Sequence, residues 1–112
     1  MNNVLLVGRI SQTPQPTQRH TELTLAITRN FKNTNGEYET DFVPVYLYNT
    51  LATTTTTYTK VGDLIGVKGR LQTITTDDTT KLVVVADRIT FLSTNTTEDN
   101  TQETNPLSKG EI

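Results

Sequence analysis

Two strand-like runs around a polar loop, within residues 29–52, constrain the fold more than any other part of this sequence. The loop contains Asn33, Asn35 and Gly36, residue types that favour a reversal of chain direction. The run after the loop is rich in β-branched and aromatic residues, which have high strand propensity. The stretch therefore predicts a β-hairpin, with strands at about 22–31 and 39–48.

The second strand of this hairpin has two chemically different faces, because side chains alternate across a strand. One face is aliphatic and consists of Val43, Val45 and Leu47. The other face carries Phe42, Pro44, Tyr46 and Tyr48. Aromatic rings beside cations on an open sheet face can stack with unpaired bases. Such rings can equally cap the core or fill a subunit interface, and the pattern alone leaves both interpretations open.

Length and composition restrict the class of protein. At 112 residues the chain is long enough for one domain with a single core. It contains no cysteine, which excludes disulfides, thiolate catalysis and cysteine-based zinc sites. Apolar runs are shorter than the ~18 residues of a membrane span, and the N-terminus begins as a strand pattern rather than as a signal peptide. We therefore expect a cytoplasmic protein.

The net charge of −2 is distributed unevenly along the chain. Residues 1–93 carry nine lysines and arginines against eight aspartates and glutamates, whereas residues 94–112 carry one against four. The near-neutral first part permits local cationic patches. The second part is polar and lacks hydrophobic periodicity, so we expect a folded domain at 1–93 and a disordered acidic tail at 94–112.

The remaining strand patterns lie outside the hairpin, at residues 3–10, 64–75 and 81–92. Gly8 predicts a bulge or sharp bend in the first strand, and the prolines of segment 13–16 predict a loop after it. Leu71 is expected to point inward. The apolar run 82–85 predicts that the last strand is buried on both faces.

Segment 49–60 is rich in threonine, which is a mediocre helix former because its β-branch restricts χ1. Spacing nevertheless places Leu51, Thr55 and Tyr58 on one helical face, so we predict a short helix. Strand patterns with a helix between the third and fourth strands fit an all-β protein with the OB-fold, a partly open five-stranded Greek-key barrel. Other small β-barrels remain possible on pattern alone.

Four segments occur in a specific order: MNNVLLVGRI, LTLAITRNFKNTNGEYETDFVPVYLYNTLA, KVGDLIGVKGRLQT and VVVADRITFL. Together they resemble the bacterial and phage single-stranded DNA-binding proteins of the homotetrameric OB-fold family, and the resemblance covers Met1 to about Ser93. It implies a protein without catalytic activity, metal or cofactor that protects single-stranded DNA in replication, recombination and repair. The compact length and divergent loops favour a phage or plasmid origin.

The resemblance also implies which residues contact DNA. Base-stacking positions fall on Phe31, Phe42 and Tyr48. Cationic positions that match or flank the groove of the family are Arg9, Arg29, Lys32, Lys68, Arg70 and Lys81. A further stacking aromatic of the family is missing, because the last hairpin has threonines and aspartates at 75–78. The single histidine, His20, is expected at the surface.

Two other classes of function compete with DNA binding. One is an OB-fold replication-accessory protein of the primosomal type, which acts mainly through protein–protein contacts. The other is an enzyme, which one histidine, no cysteine and no glycine-rich phosphate loop before a helix leave without support. Relatives recruit replication and repair proteins through an acidic tip of the tail. This chain ends in NPLSKGEI, so we expect recruitment only if the full protein has such a tip.

Overall fold

Residues 1–93 are described by the computed structural model, and the predicted tail lies outside the described residues. The elements are β1 (Val4–Pro16), β2 (Thr21–Lys32), β3 (Tyr38–Leu47), α1 (Asn49–Tyr58), β4 (Leu64–Thr76) and β5 (Thr79–Ser93). The strands form a barrel in the order β1-β2-β3-β5-β4, in which β3 and β5 are parallel and the other neighbours antiparallel. This confirms the predicted OB-fold with one helix between strands 3 and 4, although the barrel is closed rather than partly open.

Aliphatic side chains that alternate along the strands fill the barrel. The fully buried ones include Ile10, Leu23, Leu25, Val45, Leu47 and Ile65. Burial of each such side chain stabilises the fold by roughly 1.5–3 kcal/mol relative to exposure. Val45 and Leu47 belong to the aliphatic face predicted for β3, and Val43 packs against the same cluster.

Strand β5 is buried on both faces in its central part, as the apolar run predicted. Val84 and Ala86 face the barrel interior, whereas Val83 and Val85 pack with Tyr46 in a second cluster. Leu82 is the exception within the run, because it remains 58% exposed. The outward-facing side chains of the neighbouring strands β3 and β5 therefore pack against each other.

Strand β1 extends further than expected and changes partner along its length. Its first half pairs with β4 and its second half pairs with β2, up to the pair Pro16–Thr21. The predicted loop at 13–16 is wrong: the prolines are accommodated in a segment whose register with β2 is irregular, where a proline need not donate a ladder hydrogen bond. Gly8 lies before these register shifts. Its role is close approach, because a Cβ there would lie 2.5 Å from the carbonyl oxygen of Ala26.

Strand β4 contains a register shift against β5 between Lys68 and Gly69. An added Cβ at Gly69 would lie 2.1 Å from the carbonyl oxygen of Val85, so the two strands can approach this closely only with glycine. Leu71 has the strand alternation of the buried Val67 and pairs with the buried Val84, as expected for an inward position, but its side chain is 43% exposed.

The predicted helix forms despite its threonine content. Ala52 and Thr55 are its buried residues, whereas Tyr58 is 71% exposed although spacing placed it on the same face as Thr55. The hydroxyl of Thr57 donates to the carbonyl oxygen of Thr53, so a threonine side chain bonds within the helix itself. In residues 1–93 we find no helix long and apolar enough to cross a membrane.

Candidate nucleic-acid interface

Two of the predicted stacking residues are exposed phenylalanines on the β2–β3 hairpin. Phe31, near the end of β2, is 60% exposed, and Phe42, on β3, is 64% exposed. Neither belongs to a core cluster. Single exposed apolar side chains are common on protein surfaces, so the significance of these rings depends on what surrounds them.

A groove of about 350 Å³ lies beside Phe42. In the strand register Arg9 is opposite Ala26, and Ala26 is opposite Phe42, so the three residues form one row across β1, β2 and β3. The small side chain of Ala26 leaves space between the cation and the ring. Arg9 Nη1 donates to the carbonyl oxygen of Gly62 at 2.9 Å, which orients the guanidinium. An aromatic ring and an oriented cation thus line one open groove.

A second cation lies beside a ring at the tip of the hairpin. Lys32 and Tyr38 are opposite each other in the register, and Lys32 Nζ is 5.8 Å from the centre of the Tyr38 ring. This distance is within the range of a cation–π contact. Tyr38 is 55% exposed, and sequence reasoning did not include it among the site residues. The register of the predicted hairpin, which places Tyr38 opposite Lys32, is the signal that could have identified it.

Arg29 is held by two carboxylates of the facing strand. Its Nε and Nη2 donate to Asp41, with a shortest distance of 2.8 Å, and its Nη1 donates to Glu39. The hydrogen bond and charge of Asp41 raise the pKa of Arg29, and the same hydrogen bond lowers the pKa of Asp41. The cation predicted to contact phosphate is thus already paired with anions.

Tyr48, the third predicted stacking residue, is half-buried at the start of α1. It packs against the cluster of Tyr46, Val83 and Val85. His20 stacks on Tyr46 with ring centres 3.9 Å apart, and its ring lies 5.9 Å from that of Tyr48. Sequence reasoning missed this arrangement, although the β2–β3 register, continued by one residue from the pair Thr21–Leu47, places His20 opposite Tyr48.

Lys81, at the start of β5, lies on the same cluster. Its Nζ is 5.5 Å from the centre of the Tyr46 ring. Interaction with the side chain of Tyr46, followed by the charge of Glu22, raises the pKa of Lys81. The ammonium group is therefore charged at neutral pH and adjacent to the aromatic residues that surround Tyr48.

The last two predicted cations lie in different surroundings. Lys68 lines a separate groove of about 360 Å³ together with Leu5 and Arg88. Arg70 is paired with Asp87 at 3.2 Å. The structure thus places Lys32 and Lys81 beside rings and Arg9 in the groove of Phe42. It holds Arg29 and Arg70 with carboxylates and leaves Lys68 in another groove.

The β4–β5 hairpin ends in a tight turn at Asp77 and Asp78, which have φ values of 51° and 65°. Positive φ at both central residues is the geometry of a type I′ turn. The tip therefore presents two carboxylates where relatives were expected to carry a stacking ring. In residues 1–93 no group of three or more potential metal ligands is found.

A closed barrel of five strands in this order, with a helix between β3 and β4, defines an OB-fold. The model of the single-strand binding protein family matches residues 1–92. The chain therefore belongs to the single-strand binding protein family.

Named relatives agree with this assignment. Over 105 residues the chain is 39% identical to single-stranded DNA-binding protein 1 of Clostridium acetobutylicum, covering 84% of this chain and 96% of that protein. It is 36% identical over 113 residues to single-stranded DNA-binding protein 1 of Staphylococcus aureus, covering 92% of this chain and 72% of that protein.

Solved structures agree in fold. The small single-stranded DNA-binding protein from Streptomyces coelicolor superimposes with a TM-score of 0.64 at 24% identity, over 81% of this chain and 94% of that chain. The Plasmodium falciparum SSB, solved in complex with ssDNA, gives a TM-score of 0.66 at 19% identity, over 83% of this chain and 96% of that chain. At these identities the likeness concerns the fold alone.

Proposed function

We propose that this protein binds single-stranded DNA without base-sequence preference and without catalysis. The observation that carries the proposal is the exposed ring of Phe42 in an open groove with Arg9, in a chain of the single-strand binding protein family. Bases stack on Phe42, on Phe31 and on the exposed part of Tyr48. Each stacked base contributes roughly 1–3 kcal/mol, and stacking accepts any base because every base has a π-face.

The phosphates follow the cations of the candidate interface. Arg9, Lys32 and Lys81 are the best placed, since each lines the groove or lies within 6 Å of an aromatic ring centre. Lys68, Arg29 and Arg70 stay predicted contacts, of which the two arginines are paired with carboxylates. Cellular roles in replication, recombination and repair, and a cytoplasmic location, belong to the same proposal.

Titration of a 5′-labelled oligo(dT), followed by fluorescence anisotropy at 50 and 200 mM salt, tests the proposal. A label is needed because the chain contains no tryptophan. We expect saturable binding that weakens with salt through counterion release, and weaker binding of a duplex, whose bases cannot stack on the rings. Equal affinity for duplex and single strand, or no binding at either salt concentration, contradicts it. The latter result would favour the primosomal-type alternative.

Assembly into a homotetramer is the second part of the proposal. The first half of β1 pairs with β4, and the opposite edge of residues 4–8 has no partner strand within residues 1–93. Leu5 and Val7 on this segment are 78% and 57% exposed. An open edge with exposed apolar side chains favours pairing with another copy. Two-fold pairing there, followed by association of dimers, gives a tetramer with dihedral symmetry.

Light scattering at micromolar concentration tests the assembly. We expect the mass of four chains for the parent protein and a smaller species for Leu5→Glu. Leu82→Glu is the matched control, because Leu82 is also exposed but lies on β5. A monomeric parent overturns the proposal, as does an equal effect of the two variants. Recruitment of other proteins through residues 94–112 stays a prediction outside the described residues.

A further inference from the structure

The position of the Arg29 ion pairs relative to the two phenylalanines links them to DNA binding. Arg29 is two residues before Phe31, and Asp41 directly precedes Phe42. Glu39 also accepts a hydrogen bond from Asn33 Nδ2 at 3.3 Å. The Asp41–Arg29–Glu39 group therefore lies along the β2–β3 hairpin between the levels of Phe42 and Phe31, on the face of β3 opposite Phe42.

The group is accessible to solvent and to DNA. The side chains of Arg29, Glu39 and Asp41 are 38%, 50% and 48% exposed. Ion pairs this exposed contribute little to stability and exchange readily with other anions. A carboxylate and a phosphate offer a guanidinium the same kind of paired oxygen acceptors. The carboxylates thus hold the arginine as a phosphate would.

We infer that Asp41 and Glu39 set the affinity of this protein for single-stranded DNA by acting as intramolecular competitors of phosphate for Arg29. The inference rests on the proposed function and specifies how its site is tuned. With one cation between two anions, the group has a net charge of −1 and repels the DNA backbone. An arginine that is already paired also releases no counterion when DNA binds, so Arg29 adds nothing to the salt dependence of the parent protein.

Other charged residues of the hairpin lack this arrangement. Lys32 lies over a tyrosine ring rather than beside a carboxylate. Glu37 at the hairpin loop is exposed, and its side chain makes no ion pair within residues 1–93. Within the β2–β3 hairpin the competition is thus confined to Arg29, and Glu37 offers a control of equal charge on the same hairpin.

The test is the salt dependence of oligo(dT) binding by the double variant Glu39→Gln/Asp41→Asn. Freeing Arg29 adds one phosphate contact. The affinity of the double variant for oligo(dT) should therefore rise. The ratio of its affinities at 50 and 200 mM salt should be about 2.6-fold larger than that of the parent, because each phosphate contact with a single strand steepens the dependence of log affinity on log salt by about 0.7. The control of equal charge change is Glu37→Gln/Asp77→Asn, for which we expect a smaller gain and little change in that ratio.

Removal of Arg29 shows whether the changes in affinity and salt dependence act through this residue. In the triple variant Arg29→Gln/Glu39→Gln/Asp41→Asn the larger ratio should return to that of the parent. The inference is overturned if the gain persists in the triple variant, if the control gains as much, or if the double variant binds more weakly with an unchanged ratio. Should the double variant fail to fold, Asp41→Asn and Glu39→Gln are measured singly against Glu37→Gln. A parent protein that binds no oligo(dT) refutes the proposed function instead.

Discussion

Replacement of Phe42 by alanine separates DNA binding from stability. The ring is 64% exposed, so only about a third of it is buried. Truncation of a fully buried phenylalanine costs about 3–5 kcal/mol, and we therefore expect a loss of stability of about 1 kcal/mol. If one base stacks on the ring, binding should weaken by roughly 1–3 kcal/mol, which corresponds to a loss of affinity of about 5- to 150-fold.

The assay is anisotropy of labelled oligo(dT) beside a thermal unfolding curve of the same sample. Phe91→Ala is the matched control, because Phe91 is 49% exposed and lies outside the candidate interface. Phe42→Trp should preserve binding and provide a tryptophan whose fluorescence is quenched by stacked bases. Stacking at this position is refuted if Phe42→Ala and Phe91→Ala bind equally, provided that both remain folded.

Three further predictions concern Gly69, Asp41 and residues 94–112. Gly69→Ala should destabilise the fold by about 1–3 kcal/mol or more, because its Cβ meets the backbone of β5. Gly66→Ala is the control and should change stability by less than about 1 kcal/mol, because the nearest contact of its Cβ is at 3.7 Å. Equal unfolding midpoints of the two variants would contradict this prediction. The pKa of Asp41 is lowered on folding, so its stabilising ion pair is present above the unfolded-state pKa and lost as pH falls through the folded-state value. An NMR titration should show this midpoint rising in Arg29→Gln, and an unmoved midpoint refutes the pairing. Deletion of residues 94–112 should leave oligo(dT) affinity unchanged or slightly higher, and a large loss would show that the domain boundary is wrong.

Local alternation allowed much of the barrel to be predicted from the sequence. Val45 and Leu47 point into the core, with Tyr46 and Tyr48 on the opposite face of β3, because the period of a strand holds wherever its register is regular. The 43% exposure of Leu71 could not be predicted, because alternation gives the face of a strand but not how far the core extends along it. The strand at 13–16 was missed because its prolines break the sequence pattern but not the pairing with β2.

The candidate site was predictable only where its parts are local. Phe31 and Phe42 are exposed as a stacking role requires, although their part in binding stays a prediction. The pairing of Arg29 with Glu39 and Asp41 could in principle be predicted from the sequence, because the hairpin register and strand alternation place these three residues on one face of the hairpin. The stack of His20 on Tyr46 depends on the same register, which continues from the pair Thr21–Leu47 to His20 and Tyr48.

The short parallel register between β3 and β5 has a consequence for the dynamics of the barrel. It consists of the pairs Val45–Val84 and Tyr46–Val85, whereas β4 and β5 pair along nearly their whole length. Segments with few backbone hydrogen bonds open first in native proteins. We therefore expect the barrel to open first between β3 and β5, at the seam formed by these two pairs. Tyr48 lies directly beyond the end of β3. A base stacked there adds contacts at the seam, and by mass action it should slow amide hydrogen exchange in Val45 and Val84 more than in the part of the β4–β5 ladder away from the seam.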